Sequence, residues 1–462
     1  MRVNLSQSAD EAGVAKTMPK DKKTKGLFNY DAKVSFKELA PLGLQHVAAA
    51  IAGIVTPGIM VAKACKLNGS DTTLIIQTSL IMAGIATLIQ LFPIFRRFGS
   101  RLPMMMGASF ATVPILLIIG GSYGIGSIFG AQLIGGLVVL TMGFFLKYIR
   151  ILFPPIVTGT VILSIGLSLF PVAVKYMAGG AGSATFGSVQ NWSVAIVTFI
   201  VVFTLNYFGK GLFKLASILI GMIVGYILAL TMGMVNFGPV QSASFMQVIP
   251  PMHFGIRFDL IPILLLTIIF LVDAVQSIGQ FTATTMGAMD RQPTDRELSG
   301  AIMGKGLINT LGSFFGGLAV GTFGQNVGLV IETKVINKYI LTFSSIFLVV
   351  AGFVPKVASI LTTIPYAVIG GATISVFATI AMTGIRTIVS AGLSSLNVGI
   401  VGLSLAAGVG VALSPNCLAG FPTWVNTVFG TSEVILTTIL AVILNLVLNI
   451  IKKPEKAQAT KG

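Results

Sequence analysis

From Leu39 to Ile451 the chain passes through one apolar stretch after another, each close to the length that crosses a bilayer. Hydrocarbon offers no partners to backbone N–H and C=O groups, so such stretches must satisfy themselves as helices or as a closed barrel. Unbroken apolar runs of about 20 residues fit helices. About fourteen segments meet that test. They are read at 38–58, 73–93, 104–119, 126–146, 154–174, 193–209, 215–235, 260–284, 299–316, 324–337, 340–362, 366–385, 394–413 and 432–451. With 54% hydrophobic and only 10% charged residues, the chain is a polytopic membrane protein and not a soluble domain. The polar, basic start reads as a tail ahead of the first span rather than a cleaved signal.

The cations give a sidedness. Of 30 Lys and Arg, only Lys63, Lys66, Lys175, Arg257 and Lys356 fall on one side of this layout, and Lys305 alone falls inside a span. All others gather on the opposite side with both termini, which the positive-inside rule places in the cytoplasm. That bias accounts for the net charge of +16 without nucleic acid. The Lys20-Asp21-Lys22-Lys23-Thr24-Lys25 run reads as a solvated topology signal that can also meet membrane lipid. Cys65 and Cys417 have no disulfide or metal spacing, and no nucleophile–base pair or phosphate loop sits within the spans. An enzyme is therefore excluded, and no cofactor is expected beyond a coupling ion, a proton or alternatively sodium.

Polar side chains inside the spans are few, and each needs a partner in hydrocarbon. Span 1 carries Gln45-His46. Span 3 begins with Pro103-Met104-Met105-Met106-Gly107-Ala108-Ser109-Phe110, read as a short extended piece before a half-length helix. Seven spans later, Gly316-Gly317 and Leu318 to Gly324 lead into Gln325-Asn326 and another short helix. Two interrupted segments at matching positions of two halves mark a transport site at the bilayer midplane. Seven spans per half make the second half inverted relative to the first. Half-helix N-termini would turn free N–H groups toward a bound solute. In span 8, Asp273, Gln276, Ser277 and Gln280 share one helix face. Asp273 reads either as a proton carrier or as the static partner of Lys305 in span 9. His46 is either functional or bonded to a neighbouring backbone. Gln325 and Asn326 either meet the solute or bond between helices.

These residues together resemble the nucleobase–ascorbate transporter family. Its signature, Gln/Glu/Pro-Asn-x-Gly, four residues, Thr, then Arg/Lys/Gly, is filled by Gln325, Asn326, Gly328, Thr333 and Lys334. Gln45-His46 matches its span-1 pair, Ser109-Phe110 its span-3 pair, and Gln276 to Thr284 its span-8 pattern in part. The resemblance runs from about Lys37 to Ile451. It implies an all-α fold of seven plus seven inverted spans with short strands in the broken spans 3 and 10. It implies a cytoplasmic tail at 1–36, core at 37–152 and 258–363, gate at 153–257 and 364–451, and a second tail at 452–462. It further implies elevator-like import of a purine nucleobase, xanthine or uric acid, with a proton, by a homodimer in the cell membrane. Substrate would meet Gln276, Gln325, Ser109, Phe110 and Gly324, with Asp273, His46, Gln45, Asn326, Gln280, Lys305 and Thr333 in support. A facilitator of uracil or another base, or an anion carrier of the same fold, is the alternative.

Three positions depart from the family pattern. Gln276 and Gln280 stand where it has acids, and Lys305 where a span-9 aspartate is expected. An amide still offers a base edge one donor side and one acceptor side but carries no proton. A lysine in place of an acid raises the local potential, which favours an anionic substrate, urate before xanthine.

Overall fold

The computed structural model describes residues 26–146, 152–414, 416–422, 425–426, 429–430 and 432–451. The Lys20–Lys25 run, Lys147, Arg150 and the C-terminal tail at 452–462 lie outside the described residues. The first half comprises α1 (Phe36–Ala64), α2 (Gly69–Leu91), β1 (Met106–Ala108), α3 (Val113–Ser122), α4 (Ile125–Phe144), α5 (Pro155–Met177), α6 (Val189–Phe208) and α7 (Ser217–Thr231). The second comprises α8 (Leu260–Met289), α9 (Asp295–Phe315), β2 (Val320–Thr322), α10 (Gly324–Thr333), α11 (Lys338–Gly352), α12 (Pro355–Thr362), α13 (Tyr366–Ser390), α14 (Ser395–Ala412) and α15 (Glu433–Asn445). Single turns of helix at Leu212–Leu215 and Gly238–Ser242 lie in connections.

Among the described residues, α1, α2, α4, α5, α6, α8, α13 and α14 are long and apolar enough to cross a membrane. The helices α3, α7 and α15 are shorter apolar pieces. Spans 9 and 10 are α9 and α10, whose polar side chains lower their hydropathy. Span 1, read as ending at 58, runs on through Pro57 to Ala64, and span 11 departs from the expected list more sharply. Read as continuous over 340–362, it is α11 and α12 joined by an 81° bend. Pro355 has no N–H to extend α11 and restricts the residue before it, so the helix stops at Gly352. Buried Gln77 donates to the carbonyl this frees on Gly352 (2.8 Å).

The packing shows the repeat more clearly than residue identity does. Exchanging each span with the one seven places on maps the contacts onto themselves. The α2–α11 contact becomes α9–α4, α8–α4 becomes α1–α11, and α6–α7 becomes α14–α15. Likewise α13–α6 becomes α5–α14, while α5–α13, the contact between spans 5 and 12, maps onto itself. The strands join the halves: β1 pairs antiparallel with β2, Met106 opposite Thr322, Gly107 opposite Gly321 and Ala108 opposite Val320.

Glycine is required at this crossing. A Cβ on Gly107 would lie 2.3 Å from the Phe323 ring, and one on Gly321 2.9 Å from the Ser109 side chain. Gly107→Val is therefore expected to destabilise the fold by roughly 1–3 kcal/mol through overpacking. A melting curve of the purified protein checks this, and an unchanged midpoint would show that the crossing has slack.

On the side where most cations lie, the segment before α1 is strapped down. Asn337 donates to the carbonyls of Gly26, Asn29 and Ala32, and Tyr30 donates to Leu91 O (3.0 Å). Asp31 pairs with Lys338 (2.6 Å) and Arg101 (2.9 Å). Its hydrogen bond to Lys338, more than its contact with Arg101, holds that carboxyl below the usual range.

Candidate functional site

Extended chain inside a membrane protein leaves backbone groups that the two short strands alone do not pair. Polar side chains from the flanking helices supply the remainder. Met106 N donates to Thr87 Oγ1 (2.9 Å), and Val320 N donates to Asn309 Oδ1 (2.7 Å). Gln132 donates to Gly317 O (2.7 Å) and Asn309 O (3.1 Å), and Thr78 donates to Gly316 O (2.8 Å). Gly316 ends α9 in the left-handed region (φ 72°), which a side chain would resist. Gln90 donates to Ala301 O (3.0 Å) and accepts from Ser100 N (3.0 Å), fixing the approach to β1.

The reading of the sequence missed this set. Thr78, Thr87, Gln90, Gln132 and Asn309 are all buried. Their signal was polar side chains inside spans 2, 4 and 9 that belong to no motif. Asn309→Leu removes both of its contacts to Val320 and leaves a buried N–H unpaired, at a cost of about 1–3 kcal/mol. Lowered thermal stability of the purified variant is the expected result.

Beyond the strands, each chain turns into a half-length helix. Ser109 N donates to Ala319 O (2.8 Å), which carries the strand pairing to the foot of α3. Phe323 N donates to Met105 O (3.1 Å) and performs the same service for α10. Phe110 meets Phe377 of α13 edge to face, ring centroids 5.9 Å apart. Gly324, the first residue of α10, is exposed, and Gly328 one turn on is exposed too.

Two residues of the span-8 face lie against β2 and the start of α10. Gln280 Nε2 lies 3.7 Å from where a Cβ on Gly324 would sit, and Asp273 Oδ1 lies 3.3 Å from where one on Gly321 would sit. Gln276, Gln280 and Gln325 are half-buried, and none makes a side-chain hydrogen bond among the described residues. The Oε1 of Gln280 is buried without a partner. Gln280 and Gln325 at the start of α10, and Gln276 one turn along α8, thus have no donor or acceptor committed within the described residues. Gln45 likewise makes no side-chain hydrogen bond among the described residues.

Asn326 and His46 are committed to each other. Asn326 Nδ2 donates to His46 O (3.0 Å) and to His46 Nδ1 (3.0 Å). That pairing fixes the imidazole proton on Nε2 and ties α10 to α1. The other end of the signature does local work. Thr333 Oγ1 donates to Leu329 O (2.8 Å), and Lys334 turns the chain at φ 55°. The ammonium of Lys334 reaches Gly287 O and Asp290 at the end of α8.

Asp273 and Lys305 form an ion pair, Nζ to Oδ2 2.7 Å, at 4% and 1% exposure. Of the two readings of Asp273, this geometry is the paired one. It also corrects the expected electrostatic bias toward anions. The pair sums to zero charge, and the three donors of the ammonium are taken by Asp273 Oδ2, Asp273 O (2.9 Å) and Ser277 Oγ (2.8 Å). The potential gained from a lone buried cation is therefore absent. What these groups can do is hold a flat, polar solute by amides and an aromatic ring, with the positive ends of two half-helices nearby.

The Xan_ur_permease family profile, described as Permease family, matches residues 37–417. The chain is 34% identical over 426 residues to the xanthine permease of Bacillus subtilis (strain 168), covering 92% of this chain and 96% of that one. It is 34% identical over 438 residues to the uric acid permease PucJ of the same organism, covering 93% and 96%. Among solved structures, the transmembrane domain of the cyanobacterial bicarbonate transporter BicA superposes with a TM-score of 0.58 at 13% identity, covering 89% of this chain and 98% of that one. At that identity the likeness shows the fold, a seven-plus-seven inverted repeat.

Proposed function

Since the chain belongs to the nucleobase–ascorbate transporter family, matched over residues 37–417, we propose that it carries a purine base, xanthine or uric acid, across a cell membrane. It is a multi-pass membrane transporter and not an enzyme. The observation that carries the purine reading is the trio Gln276, Gln280 and Gln325. Gln280 and Gln325 lie at the first turn of α10 and Gln276 one turn before Gln280 along α8, and none of the three makes a side-chain hydrogen bond among the described residues. A purinedione presents alternating C=O and N–H groups along its edge, and carboxamides pair with either. Phe110 adds an aromatic face, and Ser109 and Gly324 let backbone approach the base. The relatives' names, xanthine permease and uric acid permease, point to the same substrates.

Transport proceeds by movement of spans 1–4 and 8–11, the core, against spans 5–7 and 12–14, the gate. The tightest helix contacts fall within these two groups, which supports the division. Contacts between the groups are sparser, as a sliding boundary needs. Both termini face the cytoplasm. Arg96, Arg101, Arg296 and Lys338 line one cavity at that end, in keeping with the positive-inside bias. The working unit is a homodimer.

A coupling proton would need a free acid or base in the cleft. Asp273 and His46 are the candidates, and each is already bonded inside the protein. The anion-carrier alternative drew on Lys305, which Asp273 neutralises.

Uptake of labelled xanthine and urate into proteoliposomes tests the function. Saturable uptake of either base, competed by the other and absent from protein-free vesicles, is the expected result. Uptake of bicarbonate or sulfate with none of a base would replace this reading with the anion carrier.

A further inference from the structure

Lys305 is held like a bound ion rather than like a surface lysine. Its ammonium lies 2.7 Å from Asp273 Oδ2, 2.9 Å from Asp273 O and 2.8 Å from Ser277 Oγ. A carboxylate, a carbonyl and a hydroxyl oxygen converge on the ammonium as a cradle, and oxygens of these types are the ligands that hard cations take. The cradle is fully buried and stands directly behind the strand crossing. Ser277 Oγ lies 3.4 Å from Thr322 Oγ1 at the end of β2, and Asp273 Oδ1 lies against Gly321 at its centre. Its ligands sit on α8, the helix that also carries Gln276 and Gln280. Cradle, cation and substrate amides therefore belong to one packed unit.

We propose that Lys305 is this carrier's own permanently bound cation, tethered in an oxygen site that would otherwise take a small monovalent cation. The inference rests on the base-carrying reading of the adjoining cleft. A tethered cation neutralises Asp273 whether or not base is bound, and it cannot leave on either side. The empty and loaded carriers then have the same internal charge, and no ion gradient enters the cycle. Wild-type transport equilibrates the base across the membrane instead of concentrating it. Shortening Lys305 vacates the cradle and creates a requirement for an ion from solution.

The test has two parts. With the membrane potential clamped at zero, wild-type proteoliposomes are given labelled xanthine under an inward proton or sodium gradient. Internal xanthine should rise to the external concentration and stop there. Accumulation severalfold above it under either gradient would overturn the proposal. Separately, melting of purified Lys305→Ala is followed in sodium, potassium or methylammonium chloride against N-methylglucamine chloride at constant ionic strength. A saturable rise of several degrees with one of the small cations is expected, with no such rise in wild type or in Asp273→Asn/Lys305→Ala. A flat response of Lys305→Ala to all three would overturn the proposal. If that variant does not fold, the wild-type gradient experiment decides alone. Failure of wild type to move xanthine at all would strike the transport reading, and the melting series would still judge the cation site.

Discussion

Asp273→Ala is expected to yield little folded protein. It would strip the carboxylate from an ammonium at 1% exposure, leaving a buried charge with one carbonyl and one hydroxyl. Removing one partner of a buried pair costs roughly 3–5 kcal/mol. That is a large share of the net stability of a typical domain, about 5–15 kcal/mol. The change also lies against Gly321, so the strand crossing would loosen along with it. Asp273→Leu combined with Lys305→Met removes both charges and should recover most of the folded yield, because apolar replacement of a buried pair is often neutral. Monodisperse protein recovered after detergent extraction measures both. Wild-type yield from Asp273→Ala alone would mean that the pair contributes nothing to the fold.

Gln325→Ala is expected to act on transport and to spare the fold. The side chain makes no hydrogen bond among the described residues, so its loss leaves no protein group stranded. Its proposed contacts are with the base alone. Losing a paired donor and acceptor against a desolvated solute is worth about 1.5–3 kcal/mol, or roughly 10- to 100-fold in uptake at low substrate. Asn326→Ala differs. It breaks the link to His46 between α10 and α1 and should lower the melting temperature as well as uptake. Initial rates normalised to folded protein separate the two variants. Unchanged uptake by Gln325→Ala would remove that amide from the site.

Much of the architecture was legible in the chain because a bilayer permits so few solutions. Apolar length gave the spans, and Gly316, Gly317 and Pro103 announced where helix must give way to extended chain. The bend between Gly352 and Pro355 was missed because the apolar run hid a proline whose meaning is local. The pairing of Gly107 with Gly321 could not be read, since three-residue strands carry no periodicity. Gln325 stood out as an amide beside a helix break and Gln276 and Gln280 as part of a polar face on span 8; Gln280 lies next to Gly324 at that break. Thr87, Gln90, Gln132 and Asn309 did not stand out. A lone amide in a span looks like ordinary contact between helices, and its backbone partner is set by tertiary packing. Lys305 misled for a related reason. The sequence left it either a lone charge that favours anions or the static partner of Asp273, and the packing of α8 on α9 makes it half of a neutral pair. The signature from Gln325 to Lys334 divides in the structure: its first residue borders the cleft, its second bonds to α1, and its last two close the helix.

A purine base is expected to lie at the crossing of β1 and β2, gripped by amides. Locating xanthine in a crystal or cryo-electron microscopy structure of the loaded protein tests it most directly. The base edge should fall within hydrogen-bond distance of the Gln276 and Gln325 carboxamides, with the ring near Phe110. Density for the base elsewhere, such as in the cavity lined by Arg96, Arg101 and Arg296, with both glutamines out of reach, would contradict it.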